Sequence, residues 1–231
     1  MPPLALSSSS LAELSDLITS CTRCPRLRTY CENVAREKRR AYAAFEYWGK
    51  PVAGFGDPDA ALWIVGLAPG AHGANRTGRV FTGDRSGDFL FAALHRAGLA
   101  SQPGSTARDD GLTLRNCYIS AAVRCAPPGN KPLPAETLAC ASFLDAEWRL
   151  LRNKRTILAL GRIAWDATLT LARRHGWRGV RQNFAHGQRV DLCDAVKLLG
   201  SYHVSQQNTF TGRLTPAMFD SVLREAFTAP Q

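Results

Sequence analysis

The chain has 231 residues, of which 45% are hydrophobic and 21% are charged, so it can bury one substantial core. No stretch approaches the about 18 uncharged apolar residues of a membrane helix, and no secretory-type leader pattern opens the chain, so we expect a cytoplasmic protein without a membrane partner. Twenty-nine Lys and Arg against nineteen Asp and Glu give a formal charge of +10, which fits a polyanionic partner such as nucleic acid as well as a merely soluble cationic surface.

The amino-terminal part of the chain predicts a tail, a short helix and a basic segment. We expect a flexible tail at residues 1–10 and a single domain over residues 11–231. Apolar spacing behind Ser residues predicts a helix at residues 11–19. Residues 32–50 are dense in Lys, Arg and aromatic residues, which fits either a solvated helix with one packed face or a DNA contact.

Further along, apolar runs that predict buried strands alternate with segments of helical spacing. The strands are predicted at residues 60–66, 116–123, 156–161 and 196–202, and the helices at residues 89–94, 134–152, 163–174 and from Thr215 onward. This alternation predicts a three-layer α/β/α sandwich with a mainly parallel sheet. Ligands of such sheets bind beyond the carboxyl ends of the strands, so the loops that follow the first, second and last strands are the candidate site.

Seven cysteines in a protein expected in a reducing compartment indicate metal or cluster ligation more than disulfides. Cys21 and Cys24 form a C-x-x-C motif, and Cys125 and Cys140 form a second pair that can converge with it on a four-thiolate site. Four thiolates suit zinc and a [4Fe–4S] cluster equally well, and the spacing does not choose between them. A redox-active dithiol is less well supported, because the motif precedes the first predicted strand.

The remaining cysteines are Cys31, Cys117 and Cys193, which we interpret as small buried hydrophobic residues. Cys117 falls in an apolar strand, in keeping with this interpretation. Cys31 is the one plausible substitute ligand.

Five segments in order along the chain, over roughly residues 20–218, resemble one known family: CTRC, GLAPGAHGANRTGRVFTGD, RCAPPGNKPLPAETLAC, GRIAWDA and YHVSQQNTFTGRLTP. They resemble the family 5, or type B, uracil-DNA glycosylases. The resemblance implies a four-stranded parallel sheet flanked by helices. It also implies a structural [4Fe–4S] cluster, with Cys21, Cys24, Cys125 and Cys140 as its ligands.

Such an enzyme must flip a base out of the duplex, stabilise the departing base and activate water. Asp84, at the end of the loop after the first strand, is the nearest carboxylate that could orient or deprotonate water or stabilise positive charge on the sugar. The resemblance places at His203 a histidine that donates to a carbonyl oxygen of the base. Asp84 is also a plausible helix N-cap, and a histidine at a strand end is often structural. Loop residues 67 and 68 carry no acid, although other branches of the superfamily place one in this turn.

Six residues are predicted to bind the flipped base. The turn after the first strand offers backbone N–H groups, Phe81 a stacking face, and Asn130 an amide, although Phe81 could equally be a core residue and Asn130 a turn residue. Ala121 stands where type A relatives carry an Asn that reads uracil, so the pocket should also admit the purine hypoxanthine. The predicted base-binding residues are Gly66, Ala68, Gly70, Phe81, Ala121 and Asn130.

Loop cations and amides are predicted to contact the DNA outside the base pocket. Arg76, Arg79 and Lys131 are assigned to backbone phosphates, and the polar segment with Gln207, Asn208 and Arg213 to a loop that enters the duplex. The alternative for that segment is a solvent-exposed surface loop without a DNA contact.

The combined prediction is a monomeric, monofunctional glycosylase of base excision repair. It is expected to act on double- and single-stranded DNA that contains uracil or other deaminated bases. A zinc-containing DNA-binding module and an iron–sulfur oxidoreductase are the alternatives from other classes. The oxidoreductase lacks an evident second cofactor site, since GLAPGAHG does not have GxGxxG spacing.

Overall fold

A computed structural model describes residues 8–193 and 195–227 of the chain. Residues 1–7 of the predicted tail lie outside this part. The last residues of that tail, Ser9 and Ser10, cap the first helix: the Ser10 hydroxyl accepts from the Glu13 backbone N–H, and the Glu13 carboxylate accepts from Ser9.

Five helices occur where apolar spacing, caps and first-turn prolines predict them, whereas one longer helix near the amino terminus and two short helices were not predicted. The helices are α1 (Leu11–Thr19), α2 (Pro25–Glu37), α3 (Ala74–Thr77), α4 (Arg85–Arg96), α5 (Pro134–Leu150), α6 (Arg162–Arg174), α7 (Gln206–Phe210) and α8 (Pro216–Ala226). The longer unpredicted helix is α2, which ends at Glu37, where Lys38 adopts a left-handed φ of 52°. The basic segment at residues 32–50 is therefore mostly a loop, and a helix over its whole length was wrong.

Six strands form one sheet in the order β1-β3-β2-β4-β6-β5. They are β1 (Phe55–Gly56), β2 (Leu62–Gly66), β3 (Cys117–Ala121), β4 (Thr156–Leu160), β5 (Arg189–Asp191) and β6 (Lys197–Ser201). The four central strands are the predicted ones and run parallel, whereas β1 and β5 pair antiparallel at the two edges. The α/β/α prediction is confirmed, but a sheet of four strands was too small.

Every residue of the four central strands is buried, because helices cover both faces of the sheet. Alternate residues of β2 point to opposite faces. Leu62 and Ile64 pack with α4 and α8, whereas Trp63 and Val65 pack with α5 and α6. A third apolar cluster joins α1 and α2 to the loop after β3.

The parallel strands bring their carboxyl ends to one edge of the sheet. Gly66, the last residue of β2, pairs with Ala121, the last residue of β3, and Leu160 pairs with Ser201. The loops that carry the predicted site residues therefore leave the sheet side by side. Among the described residues, none of the helices has the length and apolar character needed to cross a bilayer.

Candidate functional site

A cavity of about 800 Å³ opens at the carboxyl edge of the sheet. Its walls include most of the predicted base-binding residues, namely Ala68, Gly70, Phe81, Ala121 and Asn130. Asp84, His203 and Gln207 line the same cavity. Loops that are distant in sequence thus meet around a space large enough for a small organic ligand.

Asp84 caps helix α4 and also faces the glycine turn after β2. It is the N-cap of α4, where its Oδ1 accepts from the Gly87 backbone N–H at 3.1 Å. Its Oδ2 lies against the glycine turn after β2, since a Cβ atom added to Gly73 would come within 2.0 Å of that oxygen, and one added to Gly70 within 2.8 Å. Burial raises the pKa of Asp84, although the backbone N–H groups at the start of α4 act in the opposite direction.

His203 follows β6 and faces the cavity as a neutral imidazole. Burial lowers its pKa to about 4, so the ring carries one N–H donor and one acceptor nitrogen at neutral pH. The loop behind it is fixed by Asn208, whose side-chain amide donates to the His203 carbonyl at 2.8 Å. A neutral N–H donor in a desolvated wall suits an oxygen on which negative charge develops.

Phe81 forms a wall of the cavity from a strained backbone. Its φ of 52° is left-handed, which is uncommon for an aromatic residue and concentrates at functional sites. The ring lies 6.1 Å from the His203 ring, measured between centroids. A Cβ atom on Gly66 would come within 2.8 Å of the Phe81 ring, so glycine at that strand end makes room for the aromatic side chain.

The sequence did not predict the contribution of the loop at residues 38–50, from which Arg39 and Tyr42 reach the cavity wall. The Arg39 backbone N–H lies 3.4 Å from the Tyr47 hydroxyl, which lies 3.1 Å from Nδ1 of His72. These two contacts join the loop to the turn after β2 through the Tyr47 hydroxyl. Aromatic density in the sequence was the only signal for this contact.

The predicted phosphate contact of Arg79 was wrong. Its side chain is 4% exposed and forms an ion pair with Asp110 at 2.7 Å, with further bonds to the hydroxyls of Thr82 and Ser105. Burial acts to raise the pKa of Asp110, but the hydrogen bond from Arg79 and three backbone N–H groups together lower it to about 2. The guanidinium braces two loops from inside the protein and is not presented to DNA.

The Arg76 side chain is also buried and bonded within the protein, so its predicted phosphate contact was wrong as well. It donates to the carbonyls of His72 and Gly83 at 2.8 Å each and stacks on the Tyr42 ring at 4.2 Å. The arginine therefore holds the basic loop against the cavity wall.

Three other residues that are predicted to contact DNA lie on the protein surface. Lys131, Gln207 and Arg213 are exposed. The segment after His203 is not an irregular loop, since it contains the short helix α7, and Phe210 at the end of α7 is 75% exposed.

Five cysteines gather in the third apolar cluster, at the junction of α1, α2, α5 and the loop after β3: Cys21, Cys24, Cys31, Cys125 and Cys140. Burial and the neighbouring thiols of Cys140, Cys125 and Cys21 raise the pKa of Cys24 to about 11. The four predicted ligands are therefore mutual neighbours. Cys117 lies apart in β3, as interpreted from the sequence.

Within residues 8–193 and 195–227, no three His, Cys, Asp or Glu side chains are placed around a single metal ion. In a [4Fe–4S] cluster each thiolate binds a different iron, so the cluster takes four thiols spread around a larger body. Four neighbouring thiols, two from a C-x-x-C motif and two from the facing loop and helix, fit that donor set. Cys31 shares a hydrogen bond with Cys125 and is the fifth thiol at this place.

Comparison with known proteins adds to this geometry. The family model of the uracil DNA glycosylase superfamily matches residues 53–227. A type-5 uracil-DNA glycosylase of Mycobacterium bovis is 55% identical over 224 residues, covering 96% of this chain and 83% of the relative. One of Thermus thermophilus is 53% identical over 209 residues, covering 90% and 93% respectively. The chain belongs to the uracil DNA glycosylase superfamily.

The resemblance to type B members of this superfamily is confirmed. A type-4 uracil-DNA glycosylase of Thermotoga maritima is also similar, but at 32% identity over 193 residues, with 83% of this chain and 80% of the relative covered. The matched region runs from the segment before β2 to the end of α8 and includes the cavity lining apart from Arg39 and Tyr42.

Proposed function

We propose that this protein excises uracil from DNA by hydrolysing the N-glycosidic bond, and that it leaves the strand uncut. The observation that carries the proposal is the convergence of Phe81, Asp84 and His203 on one cavity at the carboxyl edge of the sheet. Membership of the superfamily and the names of the type-5 relatives support it further.

The flipped base would stack on Phe81 and direct a carbonyl oxygen to the N–H of His203. As the bond between the base and the sugar breaks, negative charge moves onto the base and positive charge onto the sugar. The neutral His203 stabilises the first charge, and the Asp84 carboxylate stabilises the second or orients the water that attacks the sugar carbon. The water oxygen joins the sugar carbon, and one water proton passes by way of the Asp84 carboxylate to the base anion, which leaves as the neutral free base.

The proposed reaction is monofunctional. A lyase would need an amine nucleophile that forms a Schiff base with the sugar. No lysine belongs to the described lining of the cavity. Hydrolysis by an activated water is therefore the route that these side chains support.

We further propose that Cys21, Cys24, Cys125 and Cys140 hold a [4Fe–4S] cluster. Bound there, it would cross-link the amino-terminal helices to the loop after β3, so that its binding energy adds to folding energy. The same apolar cluster contacts Ala68 of the base-binding turn. The cysteine site would thereby support one wall of the base cavity.

The residue at the end of β3 is the basis for a proposal about which bases the protein excises. Ala121 lines the cavity and presents a methyl group, with no amide that would leave a buried polar group unpaired against a purine. We therefore propose that the protein also excises hypoxanthine.

The proposed DNA contacts lie around the mouth of this cavity. Gln207 lines the cavity, Lys131 and Arg213 are exposed, and the formal charge of +10 supplies a long-range attraction to phosphates. Double- and single-stranded DNA with deaminated bases are the proposed partners of a monomer acting in the cytoplasm.

The test is a parallel single-turnover assay on uracil and hypoxanthine duplexes, with strand breaks read after alkali. The wild type should release both bases, and Ala121→Asn should shift the ratio of rates towards uracil. Absence of uracil excision by an iron-replete preparation would overturn the proposed activity. Strict uracil specificity, or an unchanged ratio in the folded variant, would overturn the proposed breadth alone.

A further inference from the structure

Three arginines bring N–H groups to the cysteine cluster. Arg23 donates from Nε to Sγ of Cys21 at 3.3 Å. Nη1 of Arg28 and both Nε and Nη1 of Arg124 are buried without a hydrogen-bond partner among the described residues.

A buried guanidinium N–H without an acceptor carries an uncompensated desolvation cost, and native proteins rarely keep such groups. Arg124 is 1% exposed, so open solvent does not supply an acceptor. Its one ion pair uses Nη2, which donates to Glu147. Oε1 of Glu147 is also buried without a hydrogen-bond partner and can accept from one of these two donors. The other N–H of Arg124 still lacks an acceptor, which indicates an acceptor that belongs to the functional protein.

The positions of both arginines point to sulfur as this acceptor. Arg28 follows Leu27 on α2, and Arg124 directly precedes Cys125 in the loop after β3. Leu27, Cys125 and Cys140 belong to the third apolar cluster, in which the predicted ligands lie. Both arginines are thus adjacent in the chain to residues that pack at the predicted cluster site.

We propose that Arg23, Arg28 and Arg124 donate hydrogen bonds to the sulfur atoms of the cluster and its thiolates, and offset its negative charge. This inference rests on the proposed [4Fe–4S] cluster. N–H donors around a metal site orient its ligands and tune the metal, and their loss commonly weakens metal binding roughly 10- to 100-fold.

A neighbouring arginine provides a matched control. Arg26 lies on the same helix as Arg28, but its Nε and Nη2 donate to the Glu136 carboxylate at 2.7 Å each. Its side chain is 40% exposed. Arg26→Gln removes the same charge from α2 without removing a donor to sulfur.

The test uses protein purified without oxygen, with the Fe–S stretching bands recorded by resonance Raman spectroscopy. Arg23→Gln and Arg28→Gln should move the cysteine Fe–S bands to higher frequency, because an N–H donor withdraws electron density from the sulfur–iron bond. Both should also release iron to bipyridyl about 10-fold faster or more. Arg26→Gln should match the wild type in both measurements.

Arg28 also pairs with Glu32 at 2.9 Å, so Glu32→Gln removes this ion pair while keeping the arginine and should leave the bands unchanged. Arg124→Gln alone would leave Glu147 buried and unpaired, so it is combined with Glu147→Gln and compared with Glu147→Gln alone. If the double variant does not fold, Arg23→Gln and Arg28→Gln decide.

Bands and release rates that are the same in Arg23→Gln, Arg28→Gln and Arg26→Gln would overturn this inference while leaving the cluster in place. A wild-type protein without iron and sulfide would instead overturn the proposed cluster. The two failures are distinguishable before any variant is made.

Discussion

Replacing Asp84 with Asn, Ser or Ala separates its role as a helix cap from its proposed role in catalysis. The cap includes a hydrogen bond of 3.1 Å from the Gly87 N–H to Oδ1. Asn and Ser cap helices about as well as Asp, whereas Ala costs about 1 kcal/mol of unfolding free energy. For a chain of this size that loss lowers Tm by about 2–4 °C.

The same three variants all lack the carboxylate oxygen that lies against the glycine turn. A positioned general base contributes roughly 10²- to 10⁴-fold to a rate, so all three should slow the chemical step by about 100-fold or more. DNA affinity should stay near that of the wild type, because the cavity keeps its shape and the contacts at its mouth are intact. Only Asp84→Ala should therefore have a lower Tm, whereas all three variants should have a slower chemical step.

The assay is single-turnover release of uracil at saturating enzyme, with Tm and DNA affinity measured on the same preparations. Because burial raises the pKa of Asp84, the wild-type rate should also fall with decreasing pH at a higher pH than for an ordinary aspartate. The reasoning is refuted if Asp84→Asn keeps the wild-type rate, or if rate loss follows Tm loss across the series.

Two further predictions concern His203 and the cysteines. Since burial lowers the pKa of His203 to about 4 in the folded protein, below the ordinary 6.5, its contribution to stability is complete above pH 6.5 and is lost as pH falls towards 4. Urea unfolding at pH 7 and pH 4.5 should show a smaller decline for His203→Gln, and equal declines would contradict the assignment. Cys140→Ala should lose iron and solubility, because cluster binding adds to folding energy. Cys193 lies outside the cysteine cluster, so Cys193→Ala should keep its iron in a colorimetric iron analysis. Full iron content in Cys140→Ala would exclude Cys140 as a ligand.

The central sheet was predictable because each parallel strand is a continuous apolar run buried on both faces. The edge strands have two and three residues, too few for an alternating pattern to be recognised. The helix α2 was hidden because charged residues surround its short apolar stripe, on which only Leu27 and Cys31 are buried.

The site was predictable where a motif carries its own geometry, as in the turn after β2 and the histidine after β6. It was not predictable where the partner is distant in sequence. Arg79 was assigned to DNA because its loop is basic, but its partner Asp110 lies 31 residues further along the chain. Tyr47 and His72 are 25 residues apart and both lie outside the helices and strands, so no periodic pattern indicated their contact.

Identification of both products of uracil excision tests the central claim most directly. The wild-type protein, incubated with a uracil duplex, should yield free uracil and an unbroken abasic strand, as read by mass spectrometry. Asp84→Asn should form the same product slowly. Absence of base release, strand cleavage coupled to release, or a protein–DNA adduct trapped by borohydride would contradict hydrolysis at this site.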